Sequence, residues 1–148
     1  MFNKTAKLGY VEFNRVTGRK YFFNPEENFY FKYKEEVECF GVRTNIRDYN
    51  KAKSEIQRIS QNFPIQGSSS DITKYACILF FKEILKREWL HIVKIVNLVH
   101  DEILIETPED LIKEATEVLI ECMKEAGKPF CPIIPLGASF DTGDHWIH

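Results

Sequence analysis

The feature that most constrains this sequence is a polar tetrapeptide set between two apolar runs. Residues 92–99 and 103–105 are rich in Val, Ile and Leu, and the tetrapeptide Val-His-Asp-Glu at 99–102 joins them. Runs rich in β-branched residues that lack Gly and Pro favour strands, and polar residues between two such runs favour a tight turn. The pattern therefore predicts a β-hairpin with Asp101 and Glu102 at its tip.

Two adjacent carboxylates at such a tip allow two interpretations. Holding them together costs electrostatic repulsion and desolvation, and a bound divalent cation offsets both, which indicates a metal site built from carboxylate oxygens. Acidic residues are also common in turns, so an ordinary polar hairpin tip is the alternative. Residues 99–105 alone leave both interpretations open.

A second informative segment lies upstream of the hairpin. Residues 58–72 read RISQNFPIQGSSSDI, and a helical pattern connects them to the Val-His-Asp-Glu hairpin. Shorter segments flank this arrangement: GYVE at 9–12, TGRKY at 17–21 and GDHW at 143–146. In order and spacing these motifs resemble the C-terminal palm of family A DNA polymerases, the DNA polymerase I group. The resemblance covers nearly the whole chain except residues 24–50.

The resemblance implies an α+β fold in which two long helices pack on one face of an antiparallel palm sheet. We expect residues 1–148 to form a single partial palm domain. Its parts are a hairpin at 8–23, an unassigned insertion at 24–50 and a palm segment at 58–148 that carries the last catalytic motif. The first hairpin should turn at Thr17–Gly18, because glycine permits the backbone angles of a tight turn.

Apolar periodicity adds two helices and a strand to this outline. Residues from Gln66 to about Arg87 carry an apolar stripe of helical period, and a second amphipathic stretch ends at Gly127. Thr107, with an acidic residue three positions later, predicts an N-terminal cap for the second helix, whose first turn accommodates a proline. Residues 130–140 are expected to form a last strand, interrupted by prolines as at a sheet edge.

The family resemblance also implies a function, which is that of a DNA-directed DNA polymerase active in DNA replication. In two-metal nucleotidyl transfer the primer 3′-hydroxyl attacks the α-phosphate of a deoxynucleoside triphosphate, and two Mg²⁺ ions stabilise the reacting groups. Asp101 matches the metal-binding catalytic Asp of the family, and Glu102 is expected to tune or position the same site. His100 either binds DNA near the primer terminus or makes a hydrogen bond within the hairpin.

Arg58, Asn62 and Gln66 form a second set of candidate site residues. They recur at intervals of four, which gives them one face if the segment is helical, although Pro64 favours a break. Family members use these positions to contact template and primer, and side-chain donors suit the minor-groove acceptors that every base pair presents. The alternative is that Asn62 and Gln66 satisfy backbone groups of an irregular turn. The small residues at 67–70 allow close approach of DNA, cap a helix, or do both.

Other parts of the family pattern have no match in this sequence. They are the first metal-binding Asp of the palm and the fingers helix with its Lys and Tyr. The expected partners are therefore primer-template DNA, deoxynucleoside triphosphates and a second polymerase chain that supplies the remaining palm, the fingers and the thumb. The isolated chain should be inactive, because it shares its Mg²⁺ site with an absent Asp. A non-catalytic DNA-binding remnant of a polymerase is the alternative.

Composition agrees with a compact enzyme domain. The chain has 148 residues and 44% hydrophobic content, enough for one core. No apolar run approaches the ~18 residues of a transmembrane helix and no signal-peptide pattern occurs, so we expect a cytoplasmic protein, in the host cytoplasm if a phage encodes it. Residues 1–100 hold 17 Lys or Arg against 11 Asp or Glu, which fits equally a surface that faces phosphates and an ordinary solvated surface.

Overall fold

The structure is a computed structural model that describes residues 2–24, 28, 30–31, 33–34 and 46–145. Contacts divide the chain into two compact units, Met1–Ser68 and Ser69–His148. The elements are α1 (Phe2–Leu8), β1 (Tyr10–Glu12), β2 (Lys20–Phe22), α2 (Ile46–Lys86), β3 (Lys94–Val99), β4 (Glu102–Glu106), a short 3-10 helix (Glu109–Leu111) and α3 (Ile112–Gly127). Most of the predicted insertion and the last motif's Trp146 lie outside the described residues. The assignment of both units to one palm domain stays a prediction.

The first unit contains the predicted N-terminal hairpin. Strands β1 and β2 pair antiparallel with Val11 opposite Tyr21. Gly18 has a φ of +64°, in the left-handed region that glycine adopts without strain, and the Asn14 side chain accepts a 2.8 Å hydrogen bond from the Thr17 backbone N–H. The turn at Thr17–Gly18 is therefore confirmed.

The core of the first unit is largely aromatic. Ala6, Val11, Phe23, Tyr30, Tyr49 and Ile56 form its buried cluster. Tyr30 and Tyr49 stack with ring centroids 5.4 Å apart, and stacked aromatic pairs add about 0.5–1.5 kcal/mol beyond their buried area. The few described residues of the predicted insertion thus contribute to this core.

Helix α2 is much longer than the sequence predicts. It begins at Ile46, whereas the predicted helix begins near Gln66, and Pro64 lies inside it. Proline removes one helical hydrogen bond, the one to the Ser60 carbonyl, but α2 continues through Pro64 and buries Ile56 completely two turns before it. The predicted helix start is wrong, and so is the helix-cap interpretation of residues 67–70, which lie in the helix interior.

The second unit is built around a hairpin with two helices on one face. Its buried cluster comprises Phe80, Ile84, Trp89, Val93, Ala115, Leu119 and Cys122, from α2, α3 and the segment between them. Ile95 of β3 and Ile103 and Ile105 of β4 pack against this cluster, so one face of the hairpin meets both helices. The predicted α+β class, with two helices over an antiparallel sheet, is confirmed. Arg87 adds a 2.6 Å ion pair to Glu114, which joins α2 and α3.

Strands β3 and β4 pair antiparallel from Lys94 opposite Glu106 to Val99 opposite Glu102. A bulge interrupts this register between Ile95 and Asn97, so that Val96 is an extra residue in β3. The pairing closes the hairpin at its predicted tip.

Two predictions for the C-terminal third are wrong. The Thr107 hydroxyl is buried without a hydrogen-bond partner, and the short 3-10 helix that follows has no side-chain cap, so Thr107 does not cap a helix. Residues 130–140 contain no strand, because the prolines at 132 and 135 have no N–H for a ladder. The predicted helix end at Gly127 is confirmed.

A membrane-crossing helix requires a long apolar stretch, and no helix within the described ranges has one.

Phe80→Ala tests the core of the second unit. Phe80 is 0% exposed, and removing a fully buried ring leaves a cavity, so we expect the free energy of unfolding to fall by about 3–5 kcal/mol. Phe81, its neighbour on the same helix, is 46% exposed, and Phe81→Ala should cost less than about 1 kcal/mol. Urea unfolding followed by circular dichroism measures both. Equal losses in the two variants would contradict this packing.

Candidate functional site

The tip of the β3–β4 hairpin carries the first candidate site. Val99 and Glu102 form its last pair, so His100 and Asp101 make a two-residue connection. His100 has a φ of 55°, in the left-handed region, which costs a residue with a side chain roughly 1–2 kcal/mol. Among the described residues, Glu88 is the other non-glycine residue with a positive φ. The fold thus keeps a histidine where glycine would be less strained.

The three polar side chains of the tip differ in backbone setting. His100, Asp101 and Glu102 are all exposed. Asp101 belongs to the turn, whereas Glu102 begins β4 and pairs with Val99. The predicted hairpin is confirmed, and its two carboxylates stand at the end of a strand pair whose other end is packed on the core.

The metal-binding capacity of the tip follows from its donors. Carboxylate oxygens are the ligands that Mg²⁺ prefers, and Mg²⁺ commonly binds through one or two of them while it keeps several waters. Across the described parts of the chain, no group of three or more His, Cys, Asp or Glu side chains converges on one point. Asp101 and Glu102 therefore suit part of a Mg²⁺ coordination shell, and the remaining ligands must come from elsewhere.

Arg58, Asn62 and Gln66 form the second candidate site, in the first unit. Because α2 continues through Pro64, their spacing of four gives them one helix face, which we call the donor face. All three are exposed, and they line a shallow pocket of about 190 Å³ with Ile59 and Phe63. The alternative in which Asn62 and Gln66 serve an irregular turn is wrong, since these residues lie in a regular helix.

Gly67 follows the donor face and is covered by the N-terminal hairpin. A β-carbon added at Gly67 would lie 2.6 Å from Cγ of the Phe13 ring, which is closer than atoms can approach. The space beside Gly67 is thus filled by Phe13, and the prediction of close DNA approach is wrong at this residue. Neither Phe13 nor this contact is predicted by the sequence, and a glycine between helix-forming neighbours is the signal that indicates a close contact there.

The cysteines of α2 and α3 are poor candidates for nucleophilic chemistry. Burial raises the pKa of both the Cys77 and the Cys122 thiol, so both are largely protonated near neutral pH. The hairpin tip and the donor face therefore remain the candidate sites.

Comparison with known proteins identifies the family of this chain. The family profile of DNA polymerase family A matches residues 2–148. The chain belongs to DNA polymerase family A. DNA polymerase I of Aquifex aeolicus is 29% identical across 95% of the chain, and DNA polymerase I of Borreliella burgdorferi is 36% identical across 64% of it. The resemblance of the sequence motifs to this family is confirmed.

A solved family A structure has a similar fold. The POL domain of Pol1 from M. smegmatis, in complex with DNA primer-template and dNTP, matches 84% of this chain with a TM-score of 0.58 and 28% sequence identity. The chain spans 18% of that protein and 26% of the Aquifex polymerase. The shared region is therefore a small part of each relative.

His100→Gly distinguishes the two interpretations of the histidine. Glycine adopts a φ of 55° without strain, so the variant should gain about 1 kcal/mol in free energy of unfolding, as should Glu88→Gly at a φ of 60°. Urea titration of both variants measures this gain. If the free energy of unfolding fell in His100→Gly but rose in Glu88→Gly, the imidazole would make a stabilising hydrogen bond within the hairpin.

Proposed function

We propose that this chain is the C-terminal palm segment of a DNA-directed DNA polymerase and takes part in two-metal nucleotidyl transfer during DNA replication. The observation that carries the proposal is the exposed Asp101 carboxylate at the tip of a hairpin in a family A chain. The structure of the POL domain of Pol1 from M. smegmatis contains DNA primer-template and dNTP, which supports the same substrates for this chain.

Asp101 is the proposed metal ligand of this site. Two bound Mg²⁺ ions would supply charge neutralisation for the reacting phosphates and activation of the primer hydroxyl. The Asp101 carboxylate would hold them through its oxygens, and the rigid strand pair below the tip would keep it in position. Glu102, one residue later in β4, would orient the site, so its removal should reduce the rate less.

The donor face is the proposed contact with DNA. Asn62 and Gln66 carry amide donors and Arg58 carries a guanidinium, and the minor groove offers acceptors at similar places in every base pair. Such contacts hold a duplex without reading its sequence, as a polymerase must. His100 would lie near the primer terminus.

Further ligands are needed to complete the proposed active site. The described residues hold no cluster of three metal-binding side chains, so the other carboxylate would come from a palm segment outside the described residues. We propose that this segment, with the fingers and thumb, is supplied by a second polymerase chain. The same observation supports a second candidate function, that of a non-catalytic DNA-binding remnant.

Primer extension separates these two functions. The chain alone should not extend a primer with Mg²⁺ and deoxynucleotides. When the chain is added to Aquifex DNA polymerase I from which the matching region has been removed, primer extension should be restored. Asp101→Asn should then lower the rate by at least about 10³-fold, because it removes a ligand charge while keeping the side-chain shape.

Glu102→Gln is the matched control, and it should lower the rate less than Asp101→Asn does. Extension by the chain alone, or an unchanged rate in the Asp101→Asn mixture, would exclude Asp101 as the metal ligand. Failure of the mixture to extend, with DNA binding intact, would favour the non-catalytic function.

Replacing Arg58, Asn62 and Gln66 together by alanine tests the donor face. The wild-type chain should bind primer-template DNA weakly and without sequence preference, and its affinity should fall as salt rises. The triple variant should bind at least about tenfold more weakly, because three hydrogen-bonding side chains are lost. Fluorescence anisotropy with labelled primer-template measures the dissociation constants.

The matched control replaces Lys53, Gln57 and Gln61, which are exposed on a neighbouring face of α2, recur at the same interval of four and carry the same charge and amide content. This control should bind like the wild type. If both triple variants bound DNA equally more weakly than the wild type, the donor face would not be the DNA contact.

A further inference from the structure

We propose that Phe13 is a positioning residue that holds Asn62 and Gln66 in place for contact with minor-groove acceptors of the primer-template duplex. This inference rests on the proposed function and assigns a role to the N-terminal hairpin. Its basis is a contact between that hairpin and α2, within the first unit.

The Phe13 ring touches α2 at the residues that follow each amide donor. Phe63, next after Asn62, has its ring centroid 5.7 Å from that of Phe13. Gly67, next after Gln66, lies so close to the Phe13 ring that an added β-carbon would fall 2.6 Å from its Cγ atom. A single ring therefore spans the helical turn that carries both donors.

Polar groups of the hairpin and helix hold this ring in place. The Arg19 guanidinium lies over the Phe13 ring with its carbon 4.8 Å from the centroid, and its Nη2 donates to the Gly67 carbonyl at 3.4 Å. The Ser68 hydroxyl donates to the Phe13 carbonyl at 3.4 Å, and the Phe13 N–H donates to the Arg19 carbonyl at 2.8 Å. The half-buried ring thus has the Arg19 cation on one face, and hydrogen bonds tie its backbone to the helix and the hairpin.

The spanned turn also contains the proline of α2. Pro64 lies between Asn62 and Gln66 and has no N–H, so the Ser60 carbonyl lacks its helical donor. Interior prolines commonly bend a helix, and a bend here would change the angle between the two amides. Phe13 contacts α2 on both sides of Pro64, and we infer that it fixes this angle.

Gly67 is required for the contact because no side chain leaves room for the ring. Gly67→Ala should displace Phe13 and act like Phe13→Ala, since both remove the same contact. The two changes combined should therefore have little more effect than either alone, as expected for residues that act as a unit.

The test compares native primer-template with DNA whose terminal adenines are replaced by 3-deazaadenine, which lacks the minor-groove N3 acceptor. Wild-type chain should bind the native DNA about fivefold more tightly, the effect of roughly one hydrogen bond. In Phe13→Ala, Gly67→Ala and the double variant, the ratio of the two affinities, native over 3-deaza DNA, should fall to near one. Their affinity for the 3-deaza DNA should stay within about twofold of wild type, which a variant that had merely unfolded would not show.

Phe22→Ala is the matched control, since Phe22 lies on the same hairpin, is 68% exposed and has a ring contact with Tyr10. It should keep the wild-type ratio, and circular dichroism should show the same helix content in every variant. A wild-type preference that survives in Phe13→Ala would overturn the positioning role and leave the proposed function standing. A wild-type chain without any preference would overturn the minor-groove contact and the positioning role together.

Discussion

Burial of the apolar face of α2 is the interaction on which both units depend. Ile56 is completely buried in the first core, and Phe80 and Ile84 are buried in the second. Removing any one of these side chains would cost about 2–5 kcal/mol, which is a large share of the stability of a small protein. The same helix carries the donor face on an exposed side. The positions of the exposed side chains of α2 therefore depend on how the buried side of the helix packs.

The elements that the sequence predicts well are those with a strong local pattern. The hairpin at the Val-His-Asp-Glu tetrapeptide follows from two β-rich runs and a polar turn, and α3 follows from apolar residues at helical spacing. Errors occur where distant contacts outweigh local preference. Pro64 is locally a helix breaker, but α2 continues through it and carries fully buried side chains before and after it, Ile56 and Phe80. Thr107 has the sequence of a cap, yet its hydroxyl is buried without a partner.

The candidate sites show the same division between local and distant determinants. Asp101 and Glu102 are assigned to the tip because neighbouring residues in the chain form the hairpin. The common face of Arg58, Asn62 and Gln66 needs only their spacing and a helix. The contact between Phe13 and Gly67 joins residues that are far apart in sequence, so no periodicity in either segment predicts it. No local sequence pattern in this chain predicts the ligands that would complete a Mg²⁺ coordination shell with Asp101.

The contact between Phe13 and Gly67 also links two positions in evolution. A residue with a side chain at 67 and an aromatic ring at 13 exclude each other, since a β-carbon would meet the ring at 2.6 Å. A larger residue at position 67 fits this packing only if position 13 is smaller, and either change alone disturbs the packing around Pro64. Substitutions at these positions of the hairpin and the helix are therefore coupled, although the two elements come from opposite ends of the first unit's chain.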